Sequence, residues 1–215
     1  MGIEAKQLEL MRKYIPPSSD ILCLGYADML LQASPVEEAP EVPNSDEIRK
    51  WHGWNGPVYD TRFVFRKLGW KPTFIDFKAG PNIDEVVDLN EPPRWLQHFD
   101  AVFDPGTLEH VFSIGAAWKW VYERLRLNGH IIHVSPVNAI NHGLWSIQPG
   151  TYKDLYGSGL LEHYLMYGPK NARQHIDIKD GPHVHARFAS QPELWNVVAA
   201  KVSEEFKWPT QHKYK

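Results

Sequence analysis

The fold is decided by residues 99–111, Phe99-Asp100-Ala101-Val102-Phe103-Asp104-Pro105-Gly106-Thr107-Leu108-Glu109-His110-Val111. The first six of these residues predict a strand that ends at Pro105-Gly106, because proline and glycine interrupt regular structure. Apolar residues then recur at helical spacing between 107 and 128, and Asn128-Gly129 is typical of a helix end. Residues 130–135 predict the next strand, so this part of the chain has the order strand, helix, strand.

The same alternation continues in both directions. The run Ile21-Leu22-Cys23-Leu24 ends at Gly25 and is typical of a buried parallel strand. Four further runs predict strands, at residues 72–76, 85–90, 161–167 and 194–202. The last of them also fits a helix, but a strand is favoured because the sixth strand otherwise lacks a partner.

This order of elements predicts an α/β fold with helices on both faces of a sheet. We expect a Rossmann-like, doubly wound, mostly parallel sheet of seven strands with an antiparallel edge strand, in a single domain over residues 1–215. Residues 32–57 interrupt the pattern with an acidic, Pro-rich segment that is too long for an ordinary connection. We interpret this segment as either a lid or a disordered insert.

Composition excludes several classes of function. The 215 residues carry a formal net charge of −3, so no basic field recruits nucleic acid. No apolar stretch reaches the ~20 residues that a membrane span needs. Cys23 is the single cysteine, so the reducing cytoplasm is the expected compartment.

Candidate ligand-binding residues follow the predicted strands, because open parallel sheets bind ligands outside the carboxyl ends of their strands. An acid at the end of the second strand, Asp76, can accept hydrogen bonds from both hydroxyls of a ribose. Asp88-Leu89-Asn90 ends the third strand, where a nucleobase would lie. No Gly-x-Gly-x-x-Gly phosphate cradle is present, which argues against a dinucleotide or a nucleoside triphosphate and leaves a nucleoside without phosphates open as the ligand.

The chain resembles the class I S-adenosylmethionine-dependent methyltransferases over roughly residues 20–167. Leu108-Glu109-His110-Val111 is similar to the start of the helix after the fourth strand of that family, and Leu127-Asn128-Gly129 to the turn before its fifth strand. The resemblance implies S-adenosyl-L-methionine as cofactor. The resemblance and the positions at the strand ends together indicate six residues that bind this cofactor: Gly25, Asp76, Asp88, Leu89, Asp104 and Gly106.

The run Pro136-x-Asn138-x-x-Asn141-His142-Gly143 is similar to bacterial cell-surface sugar methyltransferases. It implies transfer of a methyl group to a hydroxyl of a small acceptor, such as a sugar, a glycan precursor or a nucleotide sugar. We expect His142 to act as the general base, because imidazole suits that role near neutral pH and a loop lets it approach the acceptor. His110 and Glu109 join the predicted catalytic group, and the predicted acceptor-binding residues are Asn138, Asn141, Trp145 and Tyr152.

A metal-dependent alternative stays open. Plant small-RNA 2′-O-methyltransferases and a ubiquinone-pathway methyltransferase carry Glu-x-x-Glu-His, in which the acids and the histidine hold a divalent cation. Gly106 replaces the first Glu here, but Glu109, His110 and His142 still offer three ligands for Mg²⁺ or Mn²⁺. His183-Val184-His185 is a weaker metal-like pair, more typical of an exposed segment.

Two rival interpretations are weighed against this one. Cys23 stands where the family usually has an acid in its first motif, and Ala27 replaces a glycine, which favours a non-catalytic cofactor-binding or assembly protein. A nicotinamide-dependent sugar-modifying enzyme needs a glycine fingerprint and a Tyr-x-x-x-Lys pair, and the sequence has neither. The sequence names neither the acceptor nor the oligomeric state.

Overall fold

The structure, a computed structural model, describes residues 2–94, 97–179 and 193–209. The helices of this part are α1 (Ala5–Tyr14), α2 (Ser45–His52), α3 (Thr61–Lys67), α4 (Ile114–Glu123) and α5 (Pro149–Tyr156). The strands are β1 (Gly2–Ile3), β2 (Asp20–Leu24), β3 (Asp28–Leu30), β4 (Val58–Tyr59), β5 (Lys71–Asp76), β6 (Glu85–Val86), β7 (Phe99–Asp104), β8 (Leu125–Pro136), β9 (Leu160–Tyr167), β10 (Gln174–Asp177) and β11 (Trp195–Lys201).

One mixed, mostly parallel sheet forms the centre of the fold, with strand order β10-β9-β11-β8-β7-β2-β5-β6. The expectation of seven strands is wrong, whereas an antiparallel strand does lie at the edge, although it is not the strand that residues 194–202 were expected to form there. An eighth strand, β10, pairs antiparallel with β9 at the edge, and the antiparallel strand β11 lies inside the sheet between β8 and β9. All four residues of β10 are exposed, so no hydrophobic pattern marks them as a strand.

Helices cover both faces of this sheet, as the alternation predicts. Cys23 of β2 packs on the face that carries α1 and α3, whereas its neighbours Leu22 and Leu24 pack on the face that carries α4 and α5. Successive residues of a strand point to opposite faces, so a continuous apolar run is what a sheet buried on both sides requires. No helix within the described ranges combines the length and apolarity needed to cross a membrane.

The single helix expected between 107 and 128 is wrong. Leu108–His110 is a 3₁₀ turn, α4 begins at Ile114, and β8 already begins at Leu125. Asn128 adopts a left-handed φ of 68° inside β8, where the pairing with β7 is irregular. Asn-Gly therefore bends a strand here, although the same pair is typical of a helix end.

Residues 32–57 are not a loop throughout, because they contain α2. None of the α2 residues is buried, and Ile48 packs only against a small apolar cluster that includes Trp54 and Val58. The strands that flank this segment, β3 and β4, form a separate three-stranded sheet with the N-terminal strand β1. Whether the segment acts as a lid stays a prediction.

Candidate active site

Three adjoining clefts lie at the carboxyl ends of the parallel strands. We call them the His142 cleft (about 640 Å³, lined by His142, Lys170 and Trp195), the Gly25 cleft (about 560 Å³) and the Asp88 cleft (about 420 Å³). Phe77 and His110 line all three. The site therefore offers room for two molecules side by side, with shared walls.

Gly25 forms the point where the backbone leaves β2. Its φ is +86°, and a β-carbon there would lie 3.4 Å from Oγ1 of Thr107 and 3.7 Å from Oδ2 of Asp76. The Thr107 hydroxyl donates to the carbonyl of Leu24 at 2.5 Å, which joins the end of β2 to the turn after β7. This one glycine exposes backbone to the cleft beside an acidic side chain.

Asp76 and Asp88 face the same space from neighbouring strand ends. Asp76 lines both the Gly25 and Asp88 clefts, and its Oδ1 accepts a hydrogen bond from the Lys78 amide at 3.2 Å. Oδ1 of Asp88 accepts from the backbone and side-chain nitrogens of Asn90, at 2.8 and 3.0 Å. Because of this turn, β6 ends at Val86, whereas the predicted strand extends to residue 90. Leu89 then lies in the wall of the Asp88 cleft.

Asp104 and Gly106 lie behind the clefts and line none of them. Oδ1 of Asp104 accepts from the amides of Gly106, Thr107 and Leu108, at 3.3, 2.8 and 3.4 Å. Its Oδ2 lies 2.8 Å from Nδ1 of the fully buried His133. Asp104 therefore fixes the turn that leads to Glu109, with all its contacts inside the protein.

Glu109, His110 and His142 come together in the structure. Oε1 of Glu109 lies 3.4 Å from Nε2 of His142 and 4.0 Å from Nε2 of His110. The Glu109 side chain is fully buried, yet neither carboxylate oxygen has a hydrogen-bond partner within the described residues. Burial raises the pKa of Glu109 to about 7, although the contact with His142 acts in the opposite direction.

The backbone of Glu109 also holds the loop that carries His142. The amides of Leu144 and Trp145 both donate to the Glu109 carbonyl, at 2.8 and 3.1 Å. Gly143 has a φ of +71°, and a β-carbon there would stand 2.9 Å from Cγ of Glu109. Glycine at 143 is thus what lets this loop reach the buried carboxylate.

The predicted acceptor-binding residues separate into two groups. Asn141 lines the His142 cleft, whereas Oδ1 of Asn138 accepts from the Leu194 amide at 2.6 Å and links β8 to β11. Trp145 donates to the carbonyl of Val111 at 2.9 Å. Tyr152 is buried in the core, where its hydroxyl donates to Ser135 at 2.7 Å, because α5 packs that face against the sheet.

Sequence reasoning missed several residues that line the His142 cleft, among them Trp51, Lys170 and Trp195. Lys170 follows the carboxyl end of β9, and Trp195 begins β11 opposite Pro136 and Met166. The position of Lys170 after a strand end was a usable signal, but Trp51 belongs to a segment without any strand. His183 and His185 lie outside the described residues.

Comparison with models of known protein families gives no match, and neither does a search of curated proteins. Solved structures do match. The 1,6-didemethyltoxoflavin-N1-methyltransferase of Burkholderia thailandensis, with bound 1,6-didemethyltoxoflavin and S-adenosylhomocysteine, aligns with a TM-score of 0.53 at 13% identity, over 92% of this chain and 76% of that chain. The N-methyltransferase NodS of Bradyrhizobium japonicum WM9, in complex with S-adenosyl-L-homocysteine, aligns at 0.50 and 11%, over 93% and 86%.

A third match shows that the fold alone does not determine the reaction. The [4+2]-cyclase SpnF aligns with a TM-score of 0.50 at 9% identity, over 92% of this chain and 79% of that chain. At identities this low, the likeness concerns the arrangement of the backbone. The chain therefore has the Rossmann-like α/β fold found in methyltransferases that bind S-adenosylhomocysteine.

Proposed function

We propose that this protein is an S-adenosylmethionine-dependent methyltransferase that acts on a hydroxyl group of a small acceptor. The observation that carries the proposal is the shared wall between the clefts. Phe77 and His110 stand between a nucleoside-sized space beside Asp76 and the His142 cleft, in whose wall His142 lies 3.4 Å from the buried Glu109. Two substrates bound in these spaces meet at His110.

The cofactor side is supported by the residues at three successive strand ends. The Asp76 carboxylate has acceptor capacity for ribose hydroxyls, and Gly25 allows close approach of the ligand to the backbone. Leu89 supplies apolar wall in the Asp88 cleft for a nucleobase. Cys23 stands where the family usually has an acid, and it is buried in β2. We therefore infer that Asp76 contributes more of the cofactor binding than in proteins that carry both acids.

The catalytic side is supported by the pairing of a half-exposed imidazole with a buried carboxylate. S-adenosylmethionine supplies an electrophilic methyl group bound to a sulfonium. His142 accepts the proton of the attacking hydroxyl, and Glu109, 3.4 Å from Nε2, stabilises the imidazolium that forms. The clefts align the two reactants, which is where most of the acceleration of an in-line displacement arises.

The acceptor side combines aromatic and polar groups. Trp51 and Trp195 line the His142 cleft together with Asn141. Aromatic faces with a few placed hydrogen-bonding groups suit a sugar ring, which has apolar faces and polar edges. We infer a sugar or glycan precursor, including a nucleotide sugar, as the acceptor class.

Calorimetric titration with S-adenosylmethionine, S-adenosylhomocysteine and NAD tests the assignment. We expect both sulfur nucleosides to bind and NAD not to bind. Binding of NAD alone, or of none of the three, would overturn the proposal. Tight binding of the sulfur nucleosides without methyl transfer to any sugar or sugar nucleotide would favour a non-catalytic binding protein.

A divalent cation at Glu109, His110 and His142 is the second candidate. One ligand atom from each residue lies within 4.8 Å of the others, and both oxygens of Glu109 lack a hydrogen-bond partner within the described residues. One carboxylate and two imidazoles suit Mn²⁺ better than Mg²⁺, which prefers oxygen ligands, and a bound cation would polarise the acceptor hydroxyl.

Chelator treatment separates the two modes. If His142 acts as a base, activity survives the chelator, and His142→Ala lowers turnover by ~10²–10⁴ with cofactor affinity retained. If a cation acts, the chelator abolishes activity, Mn²⁺ or Mg²⁺ restores it, and Glu109→Gln is as damaging as the histidine substitution. An active His142→Ala protein would contradict both modes.

A further inference from the structure

Lys170 is a cation of the His142 cleft without a carboxylate partner. Its Nζ lies 2.6 Å from Nδ1 of His52. Among the described residues, no carboxylate oxygen lies within 4.0 Å of that nitrogen. An ammonium group has three donors, and the neutral acceptor on His52 satisfies one of them.

His52 is itself held by Asp28. Nε2 of His52 lies 2.9 Å from Oδ2 of Asp28, and the His52 side chain is only 6% exposed. When Lys170 carries its charge, Nδ1 of His52 is the acceptor of this hydrogen bond, which leaves Nε2 to donate to Asp28. The hydrogen-bonded series Asp28–His52–Lys170 thus fixes the position of the Lys170 ammonium in the cleft. Within the described residues, no carboxylate touches that ammonium directly.

A second cation that lines this cleft, Arg173, occupies the carboxylate of Glu4. Arg173 pairs with Glu4, with Nε 3.1 Å from Oε2, and both side chains are 10% exposed. Burial lowers the pKa of Lys170, and the charge of Arg173 adds to this effect, while the charges of Glu4, Asp28 and Glu193 oppose it without direct contact. A partly buried ammonium in such surroundings is stabilised by an anion that reaches it directly.

A second donor in the same wall also lacks an acceptor. Trp195 lines the His142 cleft, and its indole N–H is buried without a hydrogen-bond partner within the described residues. Trp195 pairs with Met166 near the end of β9, four residues before the turn that begins at Lys170. Lys170 and Trp195 are thus two donors near the end of β9 with capacity for a further acceptor, although the carboxylates of Glu4 and Glu193 also line this cleft.

We propose that the acceptor carries an anionic group, a phosphate or a carboxylate, that Lys170 binds at the carboxyl end of β9. This inference uses the proposed methyl transfer only to identify the anionic ligand as the methyl acceptor. Binding of an anion at Lys170 does not depend on that transfer. In the sheet, β9 lies two strand spacings, roughly 10 Å, from β8, the strand that leads to His142. The anionic group is thus remote from the hydroxyl that meets His142, and Lys170 determines specificity, not chemistry.

Tryptophan fluorescence titration without cofactor tests this site with three probes, glucose 1-phosphate, glucuronate and glucose. We expect a charged probe to bind at least about tenfold more tightly than glucose, since charge-assisted hydrogen bonds are the stronger ones. Lys170→Met removes this preference, and Lys170→Arg retains it. Lys119→Met, at an exposed lysine paired with Glu123 on α4, is the matched control and binds like the unaltered protein.

The two charged probes distinguish the sources of the anion, because preference for one identifies a phosphate or a carboxylate. Equal binding of glucose and the charged probes would overturn the proposal, as would unchanged affinity in Lys170→Met or no binding of any probe. Thermal melting of each variant confirms that it is folded. Because this titration contains no cofactor, it can show a Lys170-dependent preference for the charged probes even if the protein transfers no methyl group.

Discussion

A β-carbon on residue 143 would stand 2.9 Å from Cγ of Glu109, so the loop that carries His142 rests on the buried carboxylate through Gly143. Gly143→Ala adds that carbon at a left-handed φ of +71°. We expect a loss of about 1–3 kcal/mol in the free energy of unfolding, through overpacking and backbone strain. Chemical denaturation measures it, and turnover falls as His142 moves away from Glu109.

Gly150→Ala is the matched control for that substitution. A β-carbon at Gly150 meets nothing within 4 Å, and this residue lies in the first turn of α5. We expect unchanged or slightly raised stability there, since alanine is the better helix former. If both variants unfold alike and Gly143→Ala keeps full activity, the loop does not depend on this contact.

Glu109 should make the protein less stable as the pH rises. Its folded pKa of about 7 exceeds the ordinary value of 4.5, so between these values the unfolded chain has lost a proton that the folded protein retains. The free energy of unfolding therefore falls across this window. We expect Glu109→Gln to be more stable than the unaltered protein at pH 8, by roughly 1–3 kcal/mol.

Denaturation curves at pH 5 and pH 8 measure this difference, and assays on the same samples measure activity. Under both catalytic modes, Glu109→Gln lowers turnover while it raises stability at pH 8. Equal stability of the two proteins at pH 8 would mean that the carboxylate is not held in an apolar environment. A stabilised variant with full activity would remove Glu109 from the catalytic group.

The segment 32–57 should respond to the cofactor. Glu47 and Ile48 of α2 line the Gly25 cleft, yet no residue of α2 is buried and Trp51 is 76% exposed. Limited proteolysis should cut this segment in the free protein and cut it more slowly with S-adenosylhomocysteine, because ligand contacts order a lid. Equal cleavage rates would identify a passive insert.

The sequence predicts the bounds of an element well where proline or glycine stands at its ends. Proline opens the helix Pro149–Tyr156 and Gly157 follows it, so the sequence itself marks both bounds of this helix. The strand Phe99–Asp104 ends at Pro105-Gly106 as expected. These signals act within a few residues, so no knowledge of the tertiary contacts is needed.

The remaining features depend on contacts between distant parts of the chain. The bond between Lys170 and His52 joins residues 118 positions apart, and neither local sequence indicates it. The convergence of Glu109 and His142 was predictable, because both follow neighbouring parallel strands. The burial of Asp104 behind the clefts was not, since its partner His133 is an ordinary strand position in the sequence.

The affinity for S-adenosylhomocysteine with and without the Asp76 carboxylate tests the central claim most directly. Calorimetry should show binding to the unaltered protein and to Glu9→Ala, an acid exposed on α1. Asp76→Ala should weaken binding by about tenfold or more, because it removes hydrogen bonds to a charged acceptor. Equal affinity in Asp76→Ala, or no binding by the unaltered protein, would contradict the account.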